Sequence, residues 1–291
     1  MNALLGALLF LETLQPGTLP RQWRPSGPQC TEVPDWQVHE YNANLFIIRE
    51  SGCTNYEKPF LYLIFGENKA LLQDTGAGVT DIDRLIPRLL SQWAKRANKP
   101  VPPLLVVHSH SHGDHTAGDK QLAALPNVTV VPAKPAEIET ALQMPGWPET
   151  PGVIDLGNRV IDAIAIPGHD TADLALYDRQ TGLLFTGDTL YPGRLYVRNF
   201  PEYVKSVDRL AAFTATRPVS HILGTHIEQA RTPFTDYKVR TVYQPDEAVL
   251  ELSRGDLLEL QAALAAMQGK PRRQELSRFT ISPRMTLPGA Q

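Results

Sequence analysis

The sequence is poor in cysteine and carries little excess charge of either sign. Its 291 residues include only two Cys, which excludes a disulfide-rich scaffold and a cysteine-rich zinc protein. Lys and Arg number 28 and Asp and Glu number 31, for a formal net charge of −3. A charge so near zero supplies no field that attracts phosphates, so we expect no nucleic-acid partner. Hydrophobic residues make up 42% of the chain, which excludes a disordered or collagen-like protein.

Long apolar runs are missing as well. The apolar run at residues 3–11 is far shorter than the roughly 20 residues that span a bilayer, so we expect no stable membrane span. The run has the length of a signal-peptide core, but no Lys or Arg precedes it and no clear small-x-small cleavage site follows. Residues 1–30 are therefore interpreted as a signal peptide or as an N-terminal extension. A signal peptide predicts a periplasmic or secreted protein, and an extension packed on the body leaves a cytoplasmic one open.

The two cysteines bear on the same question. Cys30 and Cys53 lie on either side of the first predicted strand. A disulfide between them would close a loop of about two dozen residues, which the loop-entropy model values at roughly 3 kcal/mol. Such a bridge would favour export, because disulfides persist in oxidising compartments. Two unrelated free thiols remain the alternative.

The order of the predicted elements indicates an α/β protein. Strand patterns form hairpins, as at residues 60–65 and 69–73, and they also alternate with helical patterns, as at residues 81–97 before the apolar strand 104–107. Residues 36–50 are predicted as one strand. This mixture favours sheets covered by helices on their outer faces, which is a layered α/β sandwich.

The chain shows no internal repeat and no low-complexity linker. We therefore assign a single domain to residues 31–268. Residues 269–291 are predicted to form a loose, polar C-terminal tail.

A histidine-rich segment directly follows an apolar strand pattern. It places His108, His110, His112, Asp114 and His115 within eight residues. Burying several imidazoles without partners is costly, so such a cluster has no sensible role in a core. The end of a strand is where open α/β architectures place their sites. Imidazole nitrogen and carboxylate oxygen suit zinc, with iron or manganese as alternatives.

The spacing within this segment indicates two neighbouring sites. His110 and His112 can place nitrogens on one cation, while Asp114 and His115 project towards a second. One loop cannot complete two metal sites, so we expect further ligands at other strand ends. Three more candidates each follow an apolar strand pattern and a glycine: His169, Asp188 and His226.

In their order and context these motifs resemble those of the metallo-β-lactamase superfamily. The resemblance runs from about residue 60 to residue 226 and includes the motif Asp74-Thr75-Gly76 after a strand. It implies a four-layer αββα sandwich with a binuclear site at one edge, holding two Zn²⁺ ions or Fe or Mn in their place. Carried over residue by residue, it assigns His110, His112 and His169 to the first metal, Asp114, His115 and His226 to the second, and Asp188 to both.

Two nearby residues fall outside this ligand set. Asp74 is interpreted as a supporting carboxylate that hydrogen-bonds a ligand or a backbone turn. His108 is interpreted as a hydrogen-bonded residue at the end of a strand, with a supporting role near the site as the alternative.

The resemblance implies a dinuclear metal-dependent hydrolase that uses a metal-bound hydroxide on an ester, thioester or lactone carbonyl. Asp114 would also be catalytic, because it can orient the nucleophile and relay a proton. The positive charge of two cations favours an anionic small-molecule substrate. We expect substrate contacts from Tyr191, Arg194 and Tyr196, with Arg194 binding a carboxylate.

Asp188 distinguishes branches of the superfamily. Glyoxalase II-like thioesterases, lactonases and phosphodiesterases have Asp at this position, whereas true β-lactamases typically have Cys or Ser. The resemblance therefore favours ester, thioester or lactone hydrolysis. The alternatives are β-lactamase activity at the same site, a mononuclear-iron oxidoreductase similar to sulfur dioxygenases, and a metal-binding protein without turnover.

Overall fold

The computed structural model describes residues 14–30 and 33–283. The apolar run at residues 3–11 and the end of the predicted tail, residues 284–291, lie outside the described residues. Among the described helices, none combines the length and the apolar character that crossing a bilayer requires.

Two six-stranded sheets form the centre of the fold. The first sheet contains, in spatial order, β1 (Trp36–Asn42), β2 (Leu45–Glu50), β3 (Phe60–Phe65), β4 (Ala70–Gln73), β5 (Leu104–Val107) and β6 (Val128–Val130). The second contains β7 (Gly152–Asp155), β8 (Val160–Ala165), β9 (Leu174–Asp178), β10 (Leu183–Gly187), β12 (His221–Gly224) and β13 (Glu251–Leu252), in the order β13-β12-β10-β9-β8-β7. A small third sheet contains β11 (Arg194–Val197), β14 (Gln274–Glu275) and β15 (Thr280–Pro283).

Six helices accompany these sheets in the described part of the chain. They are α1 (Ile82–Ala97), α2 (Gly113–Thr116), α3 (Asp119–Ala123), α4 (Pro135–Ala141), α5 (Phe200–Thr214) and α6 (Arg254–Ala266).

Three apolar layers hold the sheets and helices together. Between the sheets, the rings of Tyr62 and Phe185 lie 4.5 Å apart, centroid to centroid. On the outer face of the first sheet, Trp93 of α1 stacks on Phe65 at 4.7 Å. Helices α5 and α6 cover the outer face of the second sheet with residues such as the fully buried Tyr203. Helix, sheet, sheet and helix thus follow one another, which confirms the four-layer αββα sandwich.

The prediction of one strand over residues 36–50 is wrong, because the chain turns back at residues 43–44. The backbone N–H of Asn44 donates to the side-chain oxygen of Asn42 at 2.9 Å. This local bond stabilises a tight turn, as Asn side chains commonly do. Strands β1 and β2 are therefore the two arms of an antiparallel hairpin.

The predicted loose tail is wrong over residues 274–283. These residues form β14 and β15, and β15 pairs in parallel with β11. Leu276, Phe279 and Ile281 are buried in the same apolar layer as α5 and α6. The burial of three apolar side chains fixes this segment in the fold, although its overall composition is polar.

The N-terminal part of the described chain also packs on the body. Trp23 is buried, and its ring centroid lies 5.0 Å from that of Phe60. Cys30 and Cys53 form a disulfide, with their Cα atoms 5.4 Å apart. The bridge ties residues 14–30 to the loop between β2 and β3.

A buried arginine links the two large sheets. The guanidinium of Arg159 donates two hydrogen bonds to the carboxylate of Asp178, at 3.2 and 2.5 Å. The same group donates to the carbonyls of Asn44, at 2.8 Å, and Phe65, at 3.1 Å, next to the first sheet. The side chains of Arg159 and Asp178 are 1% and 0% exposed. Breaking this pair would leave a carboxylate without its countercharge in the interior.

We therefore expect the substitution Arg159→Met to lower the free energy of unfolding by about 3 to 5 kcal/mol, because Asp178 loses its buried partner. Urea denaturation followed by circular dichroism measures the change. The matched control is Arg84→Met, which removes an Arg–Asp pair with 83% and 68% exposed side chains. The control should change stability by no more than about 0.5 kcal/mol. Equal losses in both variants would contradict the role given to the buried pair.

Candidate metal centre

The site lies where strands of both sheets end at one edge of the sandwich. In the first sheet, the parallel strands β4 and β5 lead into Asp74 and the histidine-rich segment. In the second sheet, β8, β10 and β12 run in the same direction, because β10 is parallel to β12 and β9 is antiparallel to both β8 and β10. These three strands lead into His169, Asp188 and His226. The topology therefore brings all the predicted strand-end residues to one edge.

Two glycines allow the loops to approach closely there. A Cβ at Gly187, whose φ is +54°, would lie 2.7 Å from the Cβ of Ser109 in the facing sheet. A Cβ at Gly168 would lie 2.5 Å from the Cα of Tyr203 on α5. Both contacts are shorter than real side chains permit, so only glycine lets the chain pass directly before Asp188 and His169.

The first group of candidate ligands is a triangle of imidazoles. Nδ1 of His112 lies 2.8 Å from Nε2 of His110 and 3.1 Å from Nε2 of His169. His110 and His169 are buried, and His112 borders a cleft. These three residues are the ones that the sequence assigns to the first metal.

The second group lies beside the first. Nε2 of His115 is 3.3 Å from Nε2 of His226. One carboxylate oxygen of Asp114 is 3.1 Å from the former nitrogen and 3.3 Å from the latter. These are the residues that the sequence assigns to the second metal.

Asp188 faces both groups, one carboxylate oxygen towards each. Its Oδ2 lies 3.5 Å from Nε2 of His169 and 3.8 Å from Nε2 of His110. Its Oδ1 lies 3.2 Å from Nε2 of His226 and 3.8 Å from Nε2 of His115. The structure thus brings all seven predicted residues together and places Asp188 between the two groups.

Hydrogen bonds on the far side of three rings, those of His169, His226 and His115, fix their tautomers. Nδ1 of His169 lies 2.8 Å from the carbonyl oxygen of Tyr196, and Nδ1 of His226 lies 2.9 Å from that of Glu57. A carbonyl only accepts, so Nδ1 of each ring carries the proton. Nδ1 of His115 lies 2.9 Å from the buried carboxylate of Asp74, which imposes the same tautomer. In the neutral rings the Nε2 lone pairs therefore point into the cluster.

This donor set suits a divalent cation. Lone pairs that face one another at 2.8–3.3 Å, beside two carboxylates, repel unless a positive charge lies between them. Protons alone would relieve this repulsion only in part, because a proton shared by two nitrogens lies between that one pair and no other. The His and Asp groups therefore indicate a metal ion, and nitrogen and oxygen donors are the set that zinc accepts.

The pKa values of these side chains reflect the same conflict between burial and charge. Burial opposes the charging of His115 and His226, yet neighbouring carboxylates outweigh it and raise both pKa values well above the usual one. Asp188 is buried too, but His226 and His110 hold its pKa well below the ordinary range. Burial lowers the pKa of His112 to about 4, with the charges of His169 and Arg198 adding to the effect.

Asp74 supports the site as the sequence predicts. Its carboxylate accepts hydrogen bonds from the backbone N–H of Ser109, at 2.7 Å, and from the hydroxyl of Ser109, at 2.8 Å, besides orienting His115. His108 is buried next to it, with Nδ1 3.2 Å from the carbonyl oxygen of His115 and Nε2 3.3 Å from a carboxylate oxygen of Asp119. Both residues hold the segment that carries the histidines without pointing into the cluster.

A cleft of about 450 Å³ opens onto the cluster. Tyr191 and Tyr196, two of the predicted substrate contacts, line it. Tyr191 is buried, with its ring 5.6 Å from that of His226. Its hydroxyl donates to the carbonyl oxygen of Arg194, so the ring rather than the hydroxyl faces the site. The roles of both tyrosines in binding substrate stay predictions.

Arg194 does not line the cleft, and its guanidinium is already engaged. It donates to the carboxylate of Glu228 at 2.8 Å and to the carbonyl of Tyr237 at 2.7 Å, and its Nε donates to the hydroxyl of Tyr196 at 3.0 Å. In this geometry the guanidinium of Arg194 does not face the cleft, and its use in binding a substrate carboxylate stays a prediction. Arg198 lines the cleft instead. Its spacing along the chain carries no motif, and the sequence gives no signal that singles it out.

The chain is similar to a known protein family and to named relatives. A family model described as "Metallo-beta-lactamase superfamily" matches residues 58–265. The acyl-coenzyme A thioesterase MBLAC2 of Bos taurus is 27% identical over 229 residues, which cover 66% of this chain and 81% of that protein. The hydroxyacylglutathione hydrolase of Methylococcus capsulatus is 30% identical over 122 residues, which cover 39% of this chain and 45% of that protein.

Solved structures share the fold. The metallo-beta-lactamase from Pontibacter korlensis superimposes with a TM-score of 0.53 at 16% identity, covering 79% of this chain and 99% of that one. The metallo-beta-lactamase from Hirschia baltica gives a TM-score of 0.52 at 14% identity, covering 79% and 98%. At such low identity the likeness concerns architecture alone.

Asp74 offers a test of how the second group is held. We expect Asp74→Asn to weaken the binding of a zinc ion by about 10- to 100-fold, because an amide cannot accept all three hydrogen bonds that orient His115 and Ser109. Titration against a chromophoric chelator measures the affinity. Asp208→Asn is the matched control, since Asp208 is exposed on α5 and accepts a bond from Gln261. Unchanged zinc affinity in Asp74→Asn, with the fold intact, would contradict the supporting role.

Proposed function

The chain belongs to the metallo-beta-lactamase superfamily and is a hydrolase, as its named relatives are. We propose that it cleaves thioesters with two Zn²⁺ ions. The first ion would be held by His110, His112 and His169. The second would be held by Asp114, His115 and His226, and Asp188 would be shared by both.

The observation that carries the proposal is the position of Asp188. Its two carboxylate oxygens face different groups of imidazoles, at 3.5 Å on one side and 3.2 Å on the other. A single mononuclear site would need only one of these groups. A residue that reaches both groups supports a dinuclear centre over a mononuclear one.

Divalent cations held there would lower the pKa of a coordinated water and polarise a carbonyl oxygen. The protein would supply the rest. The surrounding imidazoles hold the pKa of Asp114 well below its usual range, against the effect of burial, so its carboxylate is ionised at neutral pH. Its side chain is 18% exposed and lines the cleft. Asp114 would orient the attacking water and accept its proton at a carboxylate oxygen.

The names of the relatives favour thioesters over the other carbonyl compounds as the substrate of this chain. Two kinds of relative with different names, an acyl-coenzyme A thioesterase and a hydroxyacylglutathione hydrolase, both act on thioesters. Asp188 agrees with this choice and argues against a true β-lactamase, but the resemblance places Asp here in thioesterases, lactonases and phosphodiesterases alike. No feature of the cleft favours a β-lactam or an oxidation, so these alternatives enter as arms of the test.

The test pairs metal analysis with turnover. We expect two zinc ions per chain by plasma mass spectrometry and hydrolysis of a thioester in a panel that also contains an aryl ester, a lactone and a cephalosporin. Removal of the metal with a chelator should abolish turnover, and added zinc should restore it. One iron per chain with oxygen consumption would overturn the proposal, and so would turnover of the cephalosporin alone.

A variant sharpens this test. We expect Asp114→Asn to lower kcat by about 10²- to 10⁴-fold, because the amide neither accepts a proton nor holds the second ion as a carboxylate does. Asp208→Asn, at an exposed position on α5, should retain full activity. Full turnover in Asp114→Asn would remove this residue from the mechanism.

We also propose that the protein works in an oxidising compartment, periplasmic or extracellular. The Cys30–Cys53 bridge supports this location, because cytosolic thiols are kept reduced. When the full chain is produced in a Gram-negative bacterium, osmotic shock should release it with both cysteines resistant to alkylation. Retention in the cytoplasm with two reactive thiols would contradict the proposal.

The bridge should also stabilise the fold. We expect the double substitution Cys30→Ser and Cys53→Ser to lower the free energy of unfolding by about 3 kcal/mol, the value for a loop of this length. Addition of a reductant should destabilise the wild type by a similar amount and leave the variant unchanged. If the reductant had no effect on the wild type, the bridge would not contribute to stability in solution.

A further inference from the structure

Arg198 has a fixed backbone and a free side chain. It directly follows β11, whose last residue, Val197, is buried. The backbone N–H groups of Arg198 and Asn199 both donate to the carbonyl oxygen of Gly168, at 3.0 and 2.9 Å. Gly168 is the neighbour of His169, so these bonds join the base of Arg198 to the first group of candidate ligands.

The guanidinium itself is exposed and forms no hydrogen bond or ion pair with any described residue. It lines the cleft together with His112 and His169. Its positive charge lowers the pKa of both imidazoles, although burial lowers each of them more. Arg198 is therefore a cation on the first-group side of the cleft with its hydrogen-bonding capacity unused.

Three neighbouring cations have partners of their own. The ammonium of Lys58 donates to the carbonyl of Thr241 at 2.9 Å. The guanidinium of Arg240 lies 5.7 Å from the ring centroid of Tyr56. Arg194 is engaged by Glu228 as described above. Of these four cations, Arg198 alone is available to a ligand in the cleft.

The rest of the lining combines charged groups with aromatic rings. Carboxylates, imidazoles and tyrosines predominate among the lining residues, and Val239 is the one aliphatic side chain that the described residues contribute. Arg198 is the one Lys or Arg among the described residues that line the cleft.

We infer that Arg198 binds an anionic group of the substrate, a carboxylate or a phosphate, and selects thioesters that carry one. The inference rests on the proposed thioesterase function. A guanidinium binds either group through two parallel N–H donors. A carboxylate on the acyl half of the thioester and a phosphate on its thiol half are the two sources that the following substrates separate.

Three substrates separate these sources. Acetyl-N-acetylcysteamine is neutral, succinyl-N-acetylcysteamine carries a carboxylate on the acyl half, and acetyl-coenzyme A carries phosphates on the thiol half. We expect Arg198→Gln to raise KM about 10- to 100-fold for one of the two anionic substrates, the range of a lost charge-assisted bond. The KM for the neutral substrate and all kcat values should stay within about threefold. Arg198→Lys should restore part of the affinity, because lysine keeps the positive charge but lacks the two parallel N–H donors of the guanidinium.

Arg217→Gln is the matched control. Arg217 is exposed and lies 3.9 Å from the ring centroid of Phe213. Arg217 precedes β12 and His226 follows it, so the two residues lie at opposite ends of this strand. This variant should behave as the wild type with all three substrates.

Equilibrium binding gives a readout that does not depend on turnover. Isothermal titration of the zinc-loaded protein with succinate and with coenzyme A should show weaker binding of one of them to Arg198→Gln and wild-type binding to Arg217→Gln. Equal changes in KM for neutral and anionic substrates, or identical affinities of wild type and Arg198→Gln for both anions, would overturn the inference. If the wild type cleaves no thioester, the proposed function fails, and the binding experiment still decides the role of Arg198.

Discussion

Imidazole lone pairs and carboxylates face one another across about 3 Å inside a buried edge of the sandwich. Such an arrangement is unfavourable without a cation, because the like-charged ends of the dipoles repel in a medium of low polarity. The rest of the structure depends on this constraint. Two sheets must end at the same edge, and Gly187 and Gly168 must let the loops approach, before the side chains can meet.

The free energy that holds these groups together comes from the layers around them. Three apolar layers fix the two sheets and their helices, and the Arg159–Asp178 pair ties one sheet to the other. Carbonyl oxygens of Tyr196 and Glu57 then fix the ring orientation of His169 and His226. The cluster is thus prepared by packing and by backbone hydrogen bonds, and a cation relieves a repulsion that the fold itself creates.

Much of the site follows from local spacing, which is why the sequence predicts it. His110 to His115 lie in one short segment, and His169, Asp188 and His226 each follow a strand with an apolar pattern. The ion pair of Arg194 with Glu228 cannot be predicted from local spacing, because 34 residues separate the two and no periodicity connects them. Strand β15 has no sequence signal for a similar reason, since its few apolar residues are buried only once α5 and α6 are in place.

The pairing of β11 with β15 has a consequence for the order in which the site is assembled. Strand β11 contributes the carbonyl that orients His169 and leads into Arg198, yet its partner lies at residues 280–283. A chain leaving the ribosome exposes all seven candidate ligands before this partner has been synthesised. The wall that would receive a substrate is therefore completed only when residues 280–283 dock on β11.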